Sequence, residues 1–263
     1  MIRDITIGQY YPANSYIHKL DPRMKLLGTL AFIISLFIAN NVWGYIVAFV
    51  YLGAVIIISK VPLRFMLKGL KAIFIIIILT VVLNLFFTPG EEKLFNIGSV
   101  VVYKEGLYFA ALMAIRLIFL IIGSSILTLT TSPIQLTDGI EYSLNPLKKI
   151  KVPAHEIAMM MTIALRFIPI LLEETDKIMK AQMARGADFE SGGIVKRAKS
   201  LIPLLVPLFI SAFRRADDLA LAMEARCYRG GEGRTRMKQL KYTKYDLVAF
   251  IVLVVYITIL IIL

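Results

Sequence analysis

The sequence predicts an all-α, polytopic helical membrane protein, with about five transmembrane helices and a cytoplasmic region of long amphipathic helices. Three observations predict it. The 263 residues are 58% hydrophobic, well above the roughly 45–50% of soluble domains. Runs such as Leu70–Phe87 and Leu107–Leu129 carry one charge each, Lys71 and Arg116, and are long enough to cross about 30 Å of hydrocarbon. These runs are continuous, which excludes a barrel of short alternating segments and leaves the helix as the way to satisfy backbone groups in lipid.

Five segments read as full spans: Met24–Ile38, Val42–Ile58, Leu70–Phe87, Leu107–Leu129 and Leu247–Leu263. The first two share a tight turn at Asn40-Asn41. Ile157–Leu172 and Leu201–Phe213 are shorter and are broken by Arg166, Pro169, Pro203 and Pro207. Basic residues in short loops set the topology. Lys19, Arg23 and Lys25 put the N-terminus inside, and Lys60, Arg64, Lys68 and Lys71 put the second inner loop there too. The Asn40-Asn41 turn has no basic residue, and the mixed charges of residues 88–106 also read as outside. Residues 130–155, 177–200 and 214–244 are all basic and read as inside, so the simplest topology keeps both broken stretches along the membrane. The C-terminus is then external. The rival reading has seven spans and a strongly basic external loop.

This gives a four-span bundle over residues 1–130, a cytoplasmic or interfacial region over 131–245, and a C-terminal span over 246–263. Ser132-Pro133 starts a helix, with Pro133 at an early position, and Asn145-Pro146 breaks it. A second helix runs from about Ala154 to Ala184 and stops at Gly186. A third runs from about Val195 to Tyr228, with Gly230, Gly231 and Gly233 ending it. The formal charge of +12 follows the positive-inside pattern, so nucleic acid is not an expected partner. One cysteine and two histidines exclude an internal disulfide and make no metal cluster. No phosphate-binding Gly-x-x-x-x-Gly-Lys loop is present, and no cofactor is expected. Paired catalytic groups are also missing: Glu173 and Glu174 are adjacent and do not share a helix face. With Asp176, Asp217 and Asp218 they read as solvated or bridging groups able to pair with Arg214 or Arg215.

One motif occurs twice. Ala181-Gln182-Met183-Ala184-Arg185-Gly186 returns 41 residues later as Ala222-Met223-Glu224-Ala225-Arg226-Cys227. Each arginine falls in the last turn of a helix, where a cation suits the dipole, after an alanine that keeps the tip slim. A guanidinium there can fork onto carboxylates or carbonyls lining a groove. A single such arginine commonly does no more than cap its helix; repetition at matching positions favours docking. Arg229, Arg234 and Arg236 serve either docking or topology. Cys227 cannot cheaply take a positive φ, so the second helix is expected to run on to Tyr228 and stop at Gly230. Asp21 is placed to cap the first span, with Pro22 at its first position and Arg23 facing headgroups or the long helices. Arg116, about ten residues into its span, is too deep to snorkel easily and is expected to face the bundle near Asn84 or a neighbouring subunit. Met159, Met160, Met161, Met179 and Met183 suit a surface that accepts changing partners.

These residues resemble the transmembrane coupling subunit, or T component, of energy-coupling factor (ECF) transporters, the CbiQ/EcfT-like family. The resemblance covers essentially the whole chain. It rests on Ile17-His18-Lys19-Leu20-Asp21-Pro22-Arg23-Met24-Lys25-Leu26, on Thr128-Leu129-Thr130-Thr131-Ser132-Pro133, and on the pair Ala184-Arg185-Gly186 and Ala225-Arg226-Cys227, with Cys227 where the family commonly has glycine. It implies a non-catalytic subunit of an ATP-driven importer in the cell membrane. It also implies two ABC-type ATPase subunits on the cytoplasmic side, each receiving one arginine-bearing helix end, and a small membrane-embedded substrate-binding subunit held by the apolar length of the same helices. The cargo implied is a vitamin or a metal ion. A self-contained secondary transporter, or a membrane scaffold for a soluble partner, are the alternatives. The former would show repeated spans and midplane polar groups, and a neighbouring gene for an ATPase would argue against the latter.

Overall fold

The computed structural model describes residues 10–39, 41–90, 92–97, 100–146, 153–189, 193, 195, 199–230 and 240–263. The helices among them are α1 (Tyr16–Lys19), α2 (Pro22–Ile38), α3 (Val42–Ser59), α4 (Leu63–Phe87), α5 (Lys104–Thr130), α6 (Pro133–Leu144), α7 (Ala154–Ala184), α8 (Ile202–Ala225) and α9 (Lys244–Ile262). The chain is an all-α membrane protein, as the runs of apolar residues predict. One short antiparallel hairpin joins β1 (Lys93–Ile97) to β2 (Val100–Tyr103), in the register Phe95↔Val102 and Ile97↔Val100. It was not expected, although its Val100-Val101-Val102 run is strand-forming. Two compact units result: residues 8–143 with 239–263, and residues 144–238. Helix α6 therefore groups with the bundle.

Val42–Ser59, Lys104–Thr130, Ala154–Ala184 and Lys244–Ile262 are long and apolar enough to cross a membrane. Helix α4 makes a fifth if its two halves, Leu63–Lys71 and Ile73–Phe87, bent by 61°, count as one span. Helix α2 has 17 residues, about 25 Å, at the lower limit of a span. Helix α7 qualifies by composition although the charges flanking it read as inside, so hydropathy and loop charge disagree for this helix.

In the larger unit α4 and α5 run antiparallel. A Cβ on Gly69 would meet Ser125 Oγ at 3.3 Å, and one on Gly106 would meet Leu85 O at 3.2 Å. Phe32, Leu36, Ala48, Leu52, Phe119, Ile126, Leu253 and Tyr256 form the core between α2, α3, α5 and α9. Tyr51 stacks on Tyr256 at 4.3 Å, and Tyr256 Oη and Ser35 Oγ share a hydrogen bond of 2.7 Å. Helices α2 and α9 are parallel. Asp21 N donates to Asp246 Oδ1 at one end (2.7 Å), and Asn41 Nδ2 donates to Leu263 O at the other (3.2 Å).

Arg116 is not placed near Asn84. Its Nε donates to Tyr45 Oη (2.8 Å) and its Nη2 to Ala39 O (3.2 Å), at the α2–α3 turn, whereas Asn84 Nδ2 donates to Thr80 O. The reason is helix length. Helix α5 has 27 residues, about 40 Å, so its middle lies level with the end of the shorter α2.

The N-terminal motif builds a polar knot. Asp21 Oδ1 accepts from Arg23 N (2.9 Å), capping α2 with Pro22 at its first turn. Arg23 does not reach for headgroups: its Nε and Nη2 return to the two Asp21 oxygens at 3.0 and 2.9 Å, and its side chain is 17% exposed. Burial alone would raise the Asp21 carboxyl, but the hydrogen bonds from Arg23 and the charges of Arg23 and Lys25 outweigh it and hold the group below the usual carboxylate range. Lys25 Nζ donates to His18 O and Thr130 O. Helix α6 opens with reciprocal bonds between Ser132 and Gln135, with Pro133 first in the helix.

His18 sits between Tyr11 O, to which Nε2 donates at 2.9 Å, and Ser15 Oγ, 2.6 Å from Nδ1. That pairing suits the neutral ring. Burial, helped by the Lys25 charge and opposed by the Tyr11 carbonyl, lowers its pKa from 6.5. The folded state therefore favours the neutral form. Its contribution is complete above pH 6.5, where the unfolded ring is also neutral, and is lost as pH falls through that value towards the folded pKa. The protection factors of residues 15–20, amide exchange corrected for its intrinsic pH dependence, are expected to fall between about pH 7.5 and 5.5, and His18→Gln is expected to flatten that dependence.

Candidate docking site

The two Ala-Arg turns lie in the smaller unit, and they close in the same way. At the end of α7, Gly186 N donates to Met183 O (3.0 Å) and Ala187 N to Gln182 O (3.0 Å). At the end of α8, Cys227 N donates to Glu224 O (2.8 Å) and Tyr228 N to Met223 O (3.0 Å). Both are the paired C-terminal closure of the Schellman motif, with the arginine at the C-cap. The C-cap angles agree: φ −88°, ψ 5° at Arg185 and φ −92°, ψ 12° at Arg226. Ala184, Arg185, Gly186, Ala225, Arg226 and Cys227 are all exposed. Among the described residues neither arginine makes an ion pair.

Cys227 corrects the expectation drawn from its side chain. It takes φ +57°, as Gly186 takes φ +88°, and α8 ends at Ala225 rather than continuing to Tyr228. The left-handed conformation costs a non-glycine residue about 1–2 kcal/mol, but two closing hydrogen bonds on otherwise orphaned carbonyls hold the turn. Gly230 (φ +87°) marks a further turn beyond the helix, next to exposed Arg229. Cys227→Gly is therefore expected to stabilise this turn by about 1 kcal/mol, read as slower amide exchange at residues 226–228. Val195, Lys199 and Ser200 are helical, but a turn at Leu201 sets them apart from α8, which starts at Ile202; Gly231, Gly233, Arg234 and Arg236 lie outside the described residues.

The helix pair has a symmetry legible in its contacts. Arg215 Nη2 donates to Glu174 Oε2 at 2.6 Å, and Gln182 Nε2 to Pro203 O at 3.3 Å. Moving back along α7 from Gln182 to Glu174 moves forward along α8 from Pro203 to Arg215, so the helices are antiparallel. Residues 174 and 215 are separated by 41, the offset of the repeated motif, so the ion pair joins equivalent positions and sits near a pseudo-two-fold axis. With side chains 37% and 27% exposed, the pair marks this register more than it stabilises it. Each arginine lies 11 residues beyond the pair, about 16 Å along its helix, so the two tips face opposite ways about 30 Å apart. Sequence reasoning found the tips; the antiparallel pairing needed the contacts.

One face of α8 is apolar and uncovered: Ile202, Leu205, Val206, Phe209, Ile210 and Phe213 are each 43% exposed or more. On α7, Met160 and Met183 are exposed. Pro169 and Pro207 sit inside continuous helices rather than ending them.

The described residues thus comprise a bundle of apolar helices, which defines a membrane protein, and a second unit with two matched, exposed arginine tips. The cobalt transport protein family (CbiQ) matches residues 13–237. The chain is 63% identical over 250 residues to the energy-coupling factor transporter transmembrane protein EcfT of Clostridium kluyveri, covering 95% of this chain and 93% of that protein. It is 63% identical over 250 residues to EcfT of Thermosediminibacter oceani, covering 95% and 94%. It is 49% identical over 255 residues to EcfT of Bacillus subtilis, covering 97% and 96%. The chain belongs to the CbiQ/EcfT family of transmembrane components of energy-coupling factor transporters.

Proposed function

We propose that this chain is the coupling subunit of an ECF-type ABC importer. In this reading it passes the ATP-driven motion of two ATPase subunits to a small membrane-embedded subunit that binds a vitamin or metal ion. The observation that carries the reading is the pair of identically closed, exposed arginine turns about a pseudo-two-fold axis. Two like tips about 30 Å apart suit two like sockets, one on each ATPase. The guanidiniums supply forked hydrogen bonds to groove carboxylates or carbonyls, and the alanines keep the helix end narrow.

Antiparallel tips also bear on placement. If α7 and α8 stood upright in the bilayer, their tips would lie on opposite sides of it. Both tips reach the cytoplasm only if the pair lies along the inner face, which agrees with the basic residues at 177–200 and 214–244. The uncovered apolar face of α8 is then free to hold the substrate-binding subunit. The N-terminus lies inside and the C-terminus outside, since parallel α2 and α9 both start at the inner end.

Co-purification of candidate ATPases with wild type and with Arg185→Ala/Arg226→Ala, at equal membrane levels, tests the docking. No ATPase binding by wild type would sink the reading. Orientation has a built-in probe, because Cys227 is the single cysteine and is exposed. A membrane-impermeant maleimide is expected to spare it in intact cells and to label it after permeabilisation; labelling of intact cells would reverse the topology.

A further inference from the structure

We propose that Arg23 is a positioning residue through which the bundle grips both chain connections to residues 144–238 at one point. The coupling role given to that grip rests on the function proposed above. Two tyrosines carry the argument. Tyr142, on α6, lies two residues before the smaller unit begins, and Tyr242 lies four residues after it ends. The Arg23 Cζ is 4.9 Å from the Tyr142 ring centroid and 4.0 Å from that of Tyr242. A single guanidinium thus touches the segment by which the chain leaves the bundle and the segment by which it returns.

The guanidinium is held in place by its neighbours. Its two bonds to Asp21 fix its plane, and Asp21 is itself held by the Asp21 N to Asp246 Oδ1 bond. Asp246 Oδ2 accepts from Thr243 N and Thr243 Oγ1, each at 2.7 Å, which fixes the chain one residue after Tyr242. On the other side Pro22 packs against Gly139 of α6, where an added Cβ would come within 3.1 Å of Pro22 Cβ. The start of α2, α6 and the start of α9 are therefore one rigid corner with Arg23 at its centre. A flat, delocalised cation is required, because it must fork onto a carboxylate while offering its surface to two rings. Lysine keeps the charge and loses both functions. Any movement of residues 144–238 pulls on these two connections. Clamped together, they move the start of α2; released, they flex and dissipate the motion.

The test has two arms. In the isolated full-length chain in lipid nanodiscs, Arg23→Lys is expected to speed amide exchange about tenfold in both 133–144 and 240–246. Faster exchange in one segment alone, or in neither, would overturn the clamp whatever the chain's function. In the assembled transporter, Arg23→Lys and Tyr242→Leu are expected to keep the ATPases bound and hydrolysing while transport per ATP falls about tenfold. Tyr242→Phe retains the ring and is expected to behave as wild type. Normal transport per ATP in Tyr242→Leu, or equal damage in Tyr242→Phe, would refute the coupling role. Tyr242 is 62% exposed, so its variants report even if Arg23→Lys fails to assemble. Absence of ATPase binding in wild type would be a failure of the proposed function, which leaves the exchange arm standing.

Discussion

Arg185→Ala/Arg226→Ala is expected to reach the membrane at wild-type levels and to lose the ATPase subunits that wild type retains. Folding should be spared, because both side chains are exposed and the caps are closed by backbone groups of the residues that follow. Binding should not be spared. Removing a charged partner from a desolvated, hydrogen-bonded site costs about 2–5 kcal/mol, and here two such contacts are lost from one divalent attachment. Linked sites support each other through effective concentration, so each single replacement should weaken retention less than the double, because the remaining tip still tethers the assembly. Lysine at either position should restore only part of the binding, since it keeps the charge without the fork. Retention of ATPase by the double variant would reduce both arginines to helix caps.

Asp246→Ala is expected to be the most destabilising single replacement in the bundle. The residue is 2% exposed and accepts three hydrogen bonds, two from Thr243 and one from Asp21 N. Alanine leaves those donors unpaired, strips α9 of its capping box, and removes a carboxylate close to the buried Lys25. Breaking a buried, satisfied charge network in this way costs about 3–5 kcal/mol. Thermal unfolding in detergent should show a large fall in midpoint, and Asp246→Asn should recover part of it by retaining acceptor capacity. A midpoint unchanged by the alanine would mean that water replaces the carboxylate and that the corner is not closed.

How much could be read without coordinates follows from the range of the interactions. Helix α7 was legible to its ends, because propensity, apolar period and Gly186 act within one turn of each other. The Asp21 cap was legible for the same reason. The setting of Arg23 was not: its rings come from residues 142 and 242, and nothing local announces them. Arg116 was misplaced because depth in a span was counted along its own helix, whereas its partners are set by the relative heights of α2 and α5. Cys227 was misjudged because side-chain preference was weighed without the two backbone bonds that override it. The arginine tips were visible as a repeat, while the register relating them required the Glu174–Arg215 contact.

The unequal helix lengths have a consequence for the lipid around the bundle. Helices α2, α3 and α9 have 17, 18 and 19 residues, about 25–28 Å each, whereas α5 has 27, about 40 Å. A hydrocarbon layer about 30 Å thick cannot match both. Beside the short helices it must thin, and beside α5 the helix must tilt or its end must stand clear of the lipid, at a cost of fractions of a kcal/mol per Å of mismatch. The bilayer would then be strained on one flank of the protein and relaxed on the other. A neighbour with short spans would settle on the strained flank and relieve it, so hydrophobic mismatch alone would sort which side of this bundle another membrane protein approaches.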